Sequence, residues 1–406
     1  MLPLPPALLT LPAPDDTAFA AIVRKVRLLA LRRLLAEPIA GPPGLQRGLS
    51  GLREALVAAT RRDRAATLDL LGQVDVLTAL LCWEAGLLPG TAAVESAGPA
   101  LLAGLAARGL LAQAVMWEHP VAGLVLEPRR WRFDPLARAM AALPAGAELQ
   151  LADGRRLPLA ALPADHPFHP LTPALALSLH DSNPLAMQEA HPDKQGNPLD
   201  LGGHPVEAWT TALGAALDLV ARGLPEWHRE LPLSLQRVVP VGFLPEVHLS
   251  ASYREAPGLA YLTLHPSTLT LAEALVHEAQ HSRLNLLTWL DPVLENAWTE
   301  WTASPVRPDL RPIMGVLLAV HAFVPVAALH ARLADLGEPQ ARGPDFERRR
   351  AQVLAGNARG LEILRDKARP TATGRRLLSE LQRLHDALVA LAPPAPPPDA
   401  DAMPPG

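Results

Sequence analysis

The sequence predicts an α+β protein, mainly helical with a small β-sheet. Three observations point there. Long stretches from residue 16 onward repeat apolar residues at helical spacing. Shorter runs in the middle of the chain alternate apolar and polar residues, as half-buried strands do. The strongest chemical motif, at 277–281, sits on a helical stretch directly behind one of those strands.

The helical part comes first. Residues 16–37 (DTAFAAIVRKVRLLALRRLLAE) place arginines opposite an apolar stripe, and 44–72 and 74–86 read the same way. A further helix is expected over 95–117, opening near Ser96. The texture changes near 119, where HPVAGLVLEPRRWRF and ELQLADGRRLPL suggest a small β element, with Asp153-Gly154 as the turn of a hairpin. Residues 179–205, rich in Asp, Asn, Pro, Gly and His, read as a long loop. Loops of that length are usually functional or disordered, and Asp181, Asn183, His191 and Asp193 lie in it. A helix over 207–227 should end at Gly223 and Pro225. Strands are expected at 234–243, 248–253 and 259–265. Ser267-Thr268-Leu269-Thr270 supplies N-caps, and Thr270 with Glu273 offers a capping box for the helix that follows. The apolar stretch after Pro312 reads as a helix that Pro325 should kink or interrupt. Charged helices fill 345–391, and the Pro-rich end reads as a disordered tail.

The expected organisation is therefore an N-terminal helical region (1–118), a β element (119–170), a metal-binding core (171–335), C-terminal helices (336–392) and a tail (393–406). There are no internal repeats. Ala, Leu and Pro are abundant, which inflates apparent helix propensity, so periodicity carries more weight here than composition.

Composition narrows the function. The net charge of −4 lacks the basic footprint of a nucleic-acid or anionic-membrane binder. One cysteine, Cys82, allows neither an intrachain disulfide nor a cysteine metal cage. The first residues lack a basic stretch and are broken by prolines, unlike a secretion signal, and no apolar run free of Gly, Pro or charge is long enough to span a membrane. The expectation is a soluble cytoplasmic protein.

The chemistry centres on His277-Glu278-Ala279-Gln280-His281, the HExxH pattern. Residues four apart on a helix share a face one turn apart, so both histidines can ligate one ion. Glu278 projects about 100° from His277, near enough to act on a metal-bound water. The surrounding α+β pattern then predicts a zincin-like metal helix packed against the sheet. Two histidines are an incomplete site, and a third ligand is needed. Glu300 suits the gluzincin spacing better than Glu295, and Asp291 is too close in sequence. His321, a lone histidine on a very apolar helix, is the other candidate. The metzincin extension is absent after His281. The strand LAYLTLH, directly before the metal helix, is the expected edge for pairing an extended peptide.

Four segments in order carry a family resemblance: LHDSNPLAMQEAHPDK, HLSASY with PGLAYLTL, LAEALVHEAQHSRLNLL, and SPVRPDLRPIMGVLLAVHAFVPVA. Together, over about 180–330, they resemble HExxH proteins encoded near peptide natural-product clusters, some of which are iron(II)/2-oxoglutarate-dependent peptide β-hydroxylases. The resemblance implies an iron centre on one face, with His277, His281 and either His321 or Glu300 as ligands, and free positions for the keto acid and O₂. It also implies a cation for the far carboxylate of 2-oxoglutarate. Arg307 and Arg311, in the Pro-rich stretch 304–312, are the candidates. In that reading Glu278 stands behind the metal ligands. Two alternatives stay open: a gluzincin-type zinc metallopeptidase in which Glu278 is the general base, and a metal-binding protein without catalysis. The sequence does not fix the oligomeric state.

Overall fold

The computed structural model describes residues 2–5, 7, 9–185, 198–303 and 310–392. It is an α+β protein in which helices dominate and strands form small sheets. In chain order the helices and strands begin with α1 (Ala18–Ala36), α2 (Pro43–Arg62), α3 (Arg64–Leu71), α4 (Val74–Glu84) and α5 (Gly90–Ala107). Strands follow: β1 (Val115–Trp117), β2 (Val121–Leu126), β3 (Arg129–Ala137), β4 (Ala139–Leu143), β5 (Gly146–Gln150), β6 (Arg156–Pro158), β7 (Phe168–Thr172) and β8 (Leu175–Ser178). Then come α6 (Val206–Gly223), α7 (Pro225–Glu230), β9 (Leu235–Phe243), β10 (Ser250–Ala251), β11 (Gly258–Leu264) and α8 (Thr268–Thr288). The chain continues through β12 (Trp301–Ala303), β13 (Leu310–Pro312), α9 (Ile313–Asp335), α10 (Pro344–Lys367) and α11 (Ala372–Ala390).

Contacts group the chain into two units made of discontinuous stretches. Unit 1 comprises residues 1–16, 218–229 and 291–406, and unit 2 comprises 17–217 and 230–290. The division runs through α6 and α7.

In unit 2 the helices α1 to α5 pack on one another, and α2 and α5 pack on a four-stranded antiparallel sheet of order β1-β4-β5-β6. The helix expected over 44–72 breaks at Asp63, whose extended backbone ends α2 and whose carboxylate accepts from the Ala66 N–H to cap α3. The helix expected over 95–117 begins earlier, at Gly90, and stops at Ala107. Gly109, at φ 64°, accounts for the stop, because a left-handed residue there lets the Leu110 N–H bond back to the Leu105 carbonyl. Residues 115–117 are consequently a strand, and the fully buried Trp117 is its anchor. Glycines on α2 and α5 make room for that indole: a Cβ on Gly98 would lie 2.4 Å from the ring and one on Gly48 2.8 Å. The Asp153-Gly154 turn joins β5 to β6 in an antiparallel pair, as expected.

The second sheet of unit 2 has the order β10-β11-β9-β8-β7. β8, β9 and β11 run parallel, while β10 and β7 pair antiparallel at the two edges. β11 is therefore interior, and the edge nearest the metal helix is β10. This corrects the expectation that LAYLTLH would be free to pair with a peptide. All seven residues of β11 are buried, which fits a strand covered on both faces.

A buried ion network pins this sheet. Arg237 on β9 is 1% exposed, bonds Asp75 of α4 and Glu127 after β2, and lies over the Phe168 ring. His180 accepts at Nδ1 from Arg130 (2.9 Å), so Nε2 carries the proton that it donates to Asp75 (3.0 Å). Burial works to raise the Asp75 pKa. The Arg237 charge and the hydrogen bonds from His180 and Arg237 outweigh it and hold the carboxyl well below the usual carboxylate range.

In unit 1 the long helix α9 packs against α10 and α11. Pro325 lies inside α9 without interrupting it, so of the expected kink or interruption the interruption does not occur. Proline removes one backbone donor and crowds one carbonyl, and tight packing on several sides outweighs that local cost. Among the described residues α9 alone is long and apolar enough by composition to cross a membrane, and 78% of that window is buried inside the protein. Gly223 allows the close approach of α6 to α9, since a Cβ there would lie 2.6 Å from Leu329.

Candidate metal centre

The centre is built on α8. Ser267 caps it, accepting from the Thr270 N–H, and the helix starts at Thr268. Of the expected capping stretch 267–270 the first residue is the cap, three residues upstream of the Thr270 box, because the chain turns directly after His265, whose Nδ1 accepts from the Ser267 N–H. α8 lies against β11, β9 and β10.

Three contacts fix the rotation of α8 about its axis. Arg283 is fully buried, pairs with Glu230 at 2.9 Å and stacks on Phe19 of α1 at 3.9 Å. Ser282 Oγ accepts from the N–H of Gly258, where β11 begins. Trp289, at the helix end, donates to the Arg254 carbonyl and lies under the Arg254 guanidinium. With the rotation held, His277 and His281 point the same way. Their ring centroids are 4.3 Å apart at 80°, and both are half-buried.

Glu278 is 1% exposed and sits on the sheet side of the helix. Its Oε1 accepts from the Ser250 hydroxyl of β10 at 2.5 Å. Its Oε2 is buried and has no hydrogen-bond partner among the described residues. Ligand atoms of His277, Glu278 and His281 all fall within 4.8 Å of one another, the one such cluster among the described residues. Two imidazoles with an adjacent, incompletely satisfied carboxylate fit a divalent ion of borderline softness, zinc or iron(II) above all.

A second histidine pair lies near the start of α8. His248 and His265 meet edge to face with centroids 6.2 Å apart. Burial, together with the neighbouring His265 and only partly offset by Glu273, pushes the His248 pKa down to about 4. It is therefore neutral at physiological pH.

The other predicted residues sit as follows. Glu300 belongs to unit 1; its carboxylate is 40% exposed and 4.0 Å from the Lys367 ammonium. Glu295 and Asp291 are in the same unit. Asp291 caps the α11 start through Thr371 and Thr373, a structural task. His321 is fully buried on α9. Arg311 is half-buried on β13, opposite Thr302 of β12. Arg307, His191 and Asp193 lie outside the described residues, as does the Pro-rich end. Asp181 is half-buried and accepts from the Tyr261 hydroxyl of β11 at 2.8 Å. Burial raises the Asp181 pKa, and burial with the Asp181 charge raises that of Tyr261. Asn183 is buried, and its Nδ2 has no hydrogen-bond partner among the described residues.

Sequence reasoning missed Ser250 and Arg283. Arg283 falls two residues after His281 in a helix already recognised, and an arginine at a core-facing position was the available signal. Nothing in the sequence links Ser250 to Glu278, since sheet pairing brings them together. No protein-family model matches the chain, and no curated protein matches it.

Proposed function

We propose that the protein is a mononuclear metalloenzyme that hydroxylates a peptide side chain with iron(II) and 2-oxoglutarate. The observation that carries a metal enzyme is the His277–Glu278–His281 cluster on a rotationally fixed helix. The oxidative chemistry rests on the ordered segments that resemble the peptide β-hydroxylases. The hydrogen bond from Ser250 supports it, because a carboxylate with one oxygen already committed suits a group that braces the histidine face. When bound, iron(II) with 2-oxoglutarate and O₂ supplies insertion of one oxygen atom into a C–H bond, the keto acid leaving as succinate and CO₂.

In this reading His277 and His281 hold the ion. His321 and Glu300 are the two sequence-derived candidates for the third ligand; the first is buried and the second partly solvated beside Lys367. Arg311 and Arg307 are the candidates from sequence for the cation that would meet the far carboxylate of 2-oxoglutarate. The extended peptide pairs at the β10 edge, where main-chain hydrogen bonding is indifferent to side chains.

One observation favours a second reading, a zinc metallopeptidase. The Oε2 of Glu278, without a hydrogen-bond partner among the described residues, is what a general base would present to a metal-bound water.

The deciding experiment is turnover by protein purified anaerobically. Iron-loaded protein should convert 2-oxoglutarate to succinate in the presence of a peptide pool, and Glu278→Gln should retain metal and partial turnover. Peptide cleavage by the zinc form, abolished in Glu278→Gln, with no 2-oxoglutarate consumption by the iron form, would reverse the assignment. Of His321→Ala and Glu300→Ala, the one that empties the site identifies the third ligand, and the other should leave the ion bound.

A further inference from the structure

We propose that the helices α1 to α3 form a docking surface for an acidic segment of another polypeptide, one that carries an apolar side chain among its carboxylates. The first observation is the charge distribution. The chain has a net charge of −4, yet residues 18–71 carry ten Arg or Lys against four Asp or Glu. Four of those ten cations are committed inside the fold. Arg27 pairs with Asp69 at 2.6 Å, Arg33 with Glu84 and Arg47 with Glu118, and Arg53 donates to the carbonyls of Leu34 and Glu37. The other six, Arg24, Lys25, Arg32, Arg61, Arg62 and Arg64, are exposed, and none has an acidic partner among the described residues.

The second observation is their placement. At about 100° per residue, Arg24, Lys25, Leu28, Arg32 and Leu35 fall within roughly 100° of arc on one side of α1. On α2, Arg53, Val57 and Arg61 recur every fourth position and form a stripe. Leu35 and that stripe line one open groove of about 360 Å³, so the basic side of α1 and the stripe of α2 border the same depression. Arg62 and Arg64 follow Arg61 where α2 gives way to α3. Val57 and Ala58 are exposed and Leu35 is half-buried, which makes the floor apolar, and Glu54 is the one acid that lines it.

Chemistry selects the occupant. Clustered cations without counter-charges repel one another, and carboxylates arriving together relieve that repulsion. The guanidinium fork takes a carboxylate through two parallel hydrogen bonds, so arginine, five of the six cations, suits Asp and Glu side chains. A nucleic-acid strand would need aromatic faces for its bases, and the one aromatic residue of these helices, Phe19, is buried against Arg283. A membrane would need exposed large apolar side chains to insert, and among these helices Val57 alone qualifies, at 37% exposure. An acidic polypeptide uses both features present, the cations and the small apolar floor.

The test uses the full chain and a labelled twelve-residue peptide of Glu with Leu at every fourth position, followed by fluorescence anisotropy. Saturable binding is expected below about 1 mM, weakening roughly tenfold between about 50 and 200 mM salt. The same peptide with Gln in place of Glu, a single-stranded oligonucleotide of equal charge and vesicles containing phosphatidylserine should each bind much more weakly. The triple variant Arg24→Gln/Arg32→Gln/Arg61→Gln should weaken the acidic peptide at least about tenfold at an unchanged melting temperature, because several exposed ion pairs are lost together. Arg155→Gln/Arg348→Gln/Arg365→Gln removes three exposed cations that already have acidic partners, and should bind as the wild type does. Absence of saturable binding, equal binding of the Gln peptide, the oligonucleotide or the vesicles, or equal affinity in the two triple variants would each overturn the proposal.

Discussion

Ser250→Ala isolates the contact between the sheet edge and the metal helix. The hydroxyl donates to Glu278 Oε1 at 2.5 Å, and the carboxylate is 1% exposed. The other oxygen has no hydrogen-bond partner among the described residues, so the substitution removes the donor that the carboxylate relies on. A hydrogen bond to a charged group contributes about 1.5–3 kcal/mol, and the cavity left by a single oxygen adds little. The expected loss is about 2 kcal/mol in metal-free protein, roughly a thirtyfold shift of the unfolding equilibrium. Urea denaturation of wild type and Ser250→Ala at neutral pH measures it, with Ser250→Thr as the control that keeps a hydroxyl. Because Ser250 is not a ligand, the variant should still bind one metal equivalent while Glu278 loses its fixed orientation. A destabilisation below about 0.5 kcal/mol would mean that the hydroxyl carries no energy. Loss of the metal with stability unchanged would mean that Ser250 belongs to the coordination sphere. Either result refutes the bracing role.

Other expectations follow from the same coordinates. His277→Ala and His281→Ala should each lose most bound metal, measured by plasma emission, while circular dichroism stays that of the wild type, since alanine favours a helix. Arg237→Met should destabilise unit 2 by about 3–5 kcal/mol, because it leaves Asp75 buried without its cation, and denaturant midpoints will report it. His248 titrates near 4 in the folded chain against its ordinary value near 6.5 when unfolded, so the unfolded state binds more protons in between. Stability should therefore fall as pH drops from about 6.5 to 4, by at most about 3 kcal/mol, and His248→Gln should flatten that part of the profile. Cys82 is buried and its thiol is pushed up to about 12, chiefly by burial and also by Glu255, so the native protein should react with a thiol reagent only on unfolding.

Much of the fold was legible because it is local. Apolar spacing located α1, α4, α6, α8 and α9, and alternation located β9 and β11, since each pattern repeats within a few residues. The shared face of His277 and His281 follows from helical geometry alone, so the heart of the site could be read directly from five letters. Local reading failed where local and distant forces compete. Val115–Trp117 continued an apparently helical stretch, yet a glycine stop and the pairing with β4 made it a strand. Pro325 reads as a kink or an interruption, and packing against other helices carries α9 through it uninterrupted. Strand order is the clearest case. No spacing along the chain states that β11 lies inside the sheet, that β10 forms the edge, or that Ser250 reaches Glu278. Those facts arise from pairing between segments whose separation in sequence bears no relation to their separation in space. The sequence by itself determined which residues can hold an ion. The tertiary structure decided how the helix that carries them is turned, and which hydroxyl meets the carboxylate between them, because buried polar groups take their partners from whatever the packed chain brings within reach.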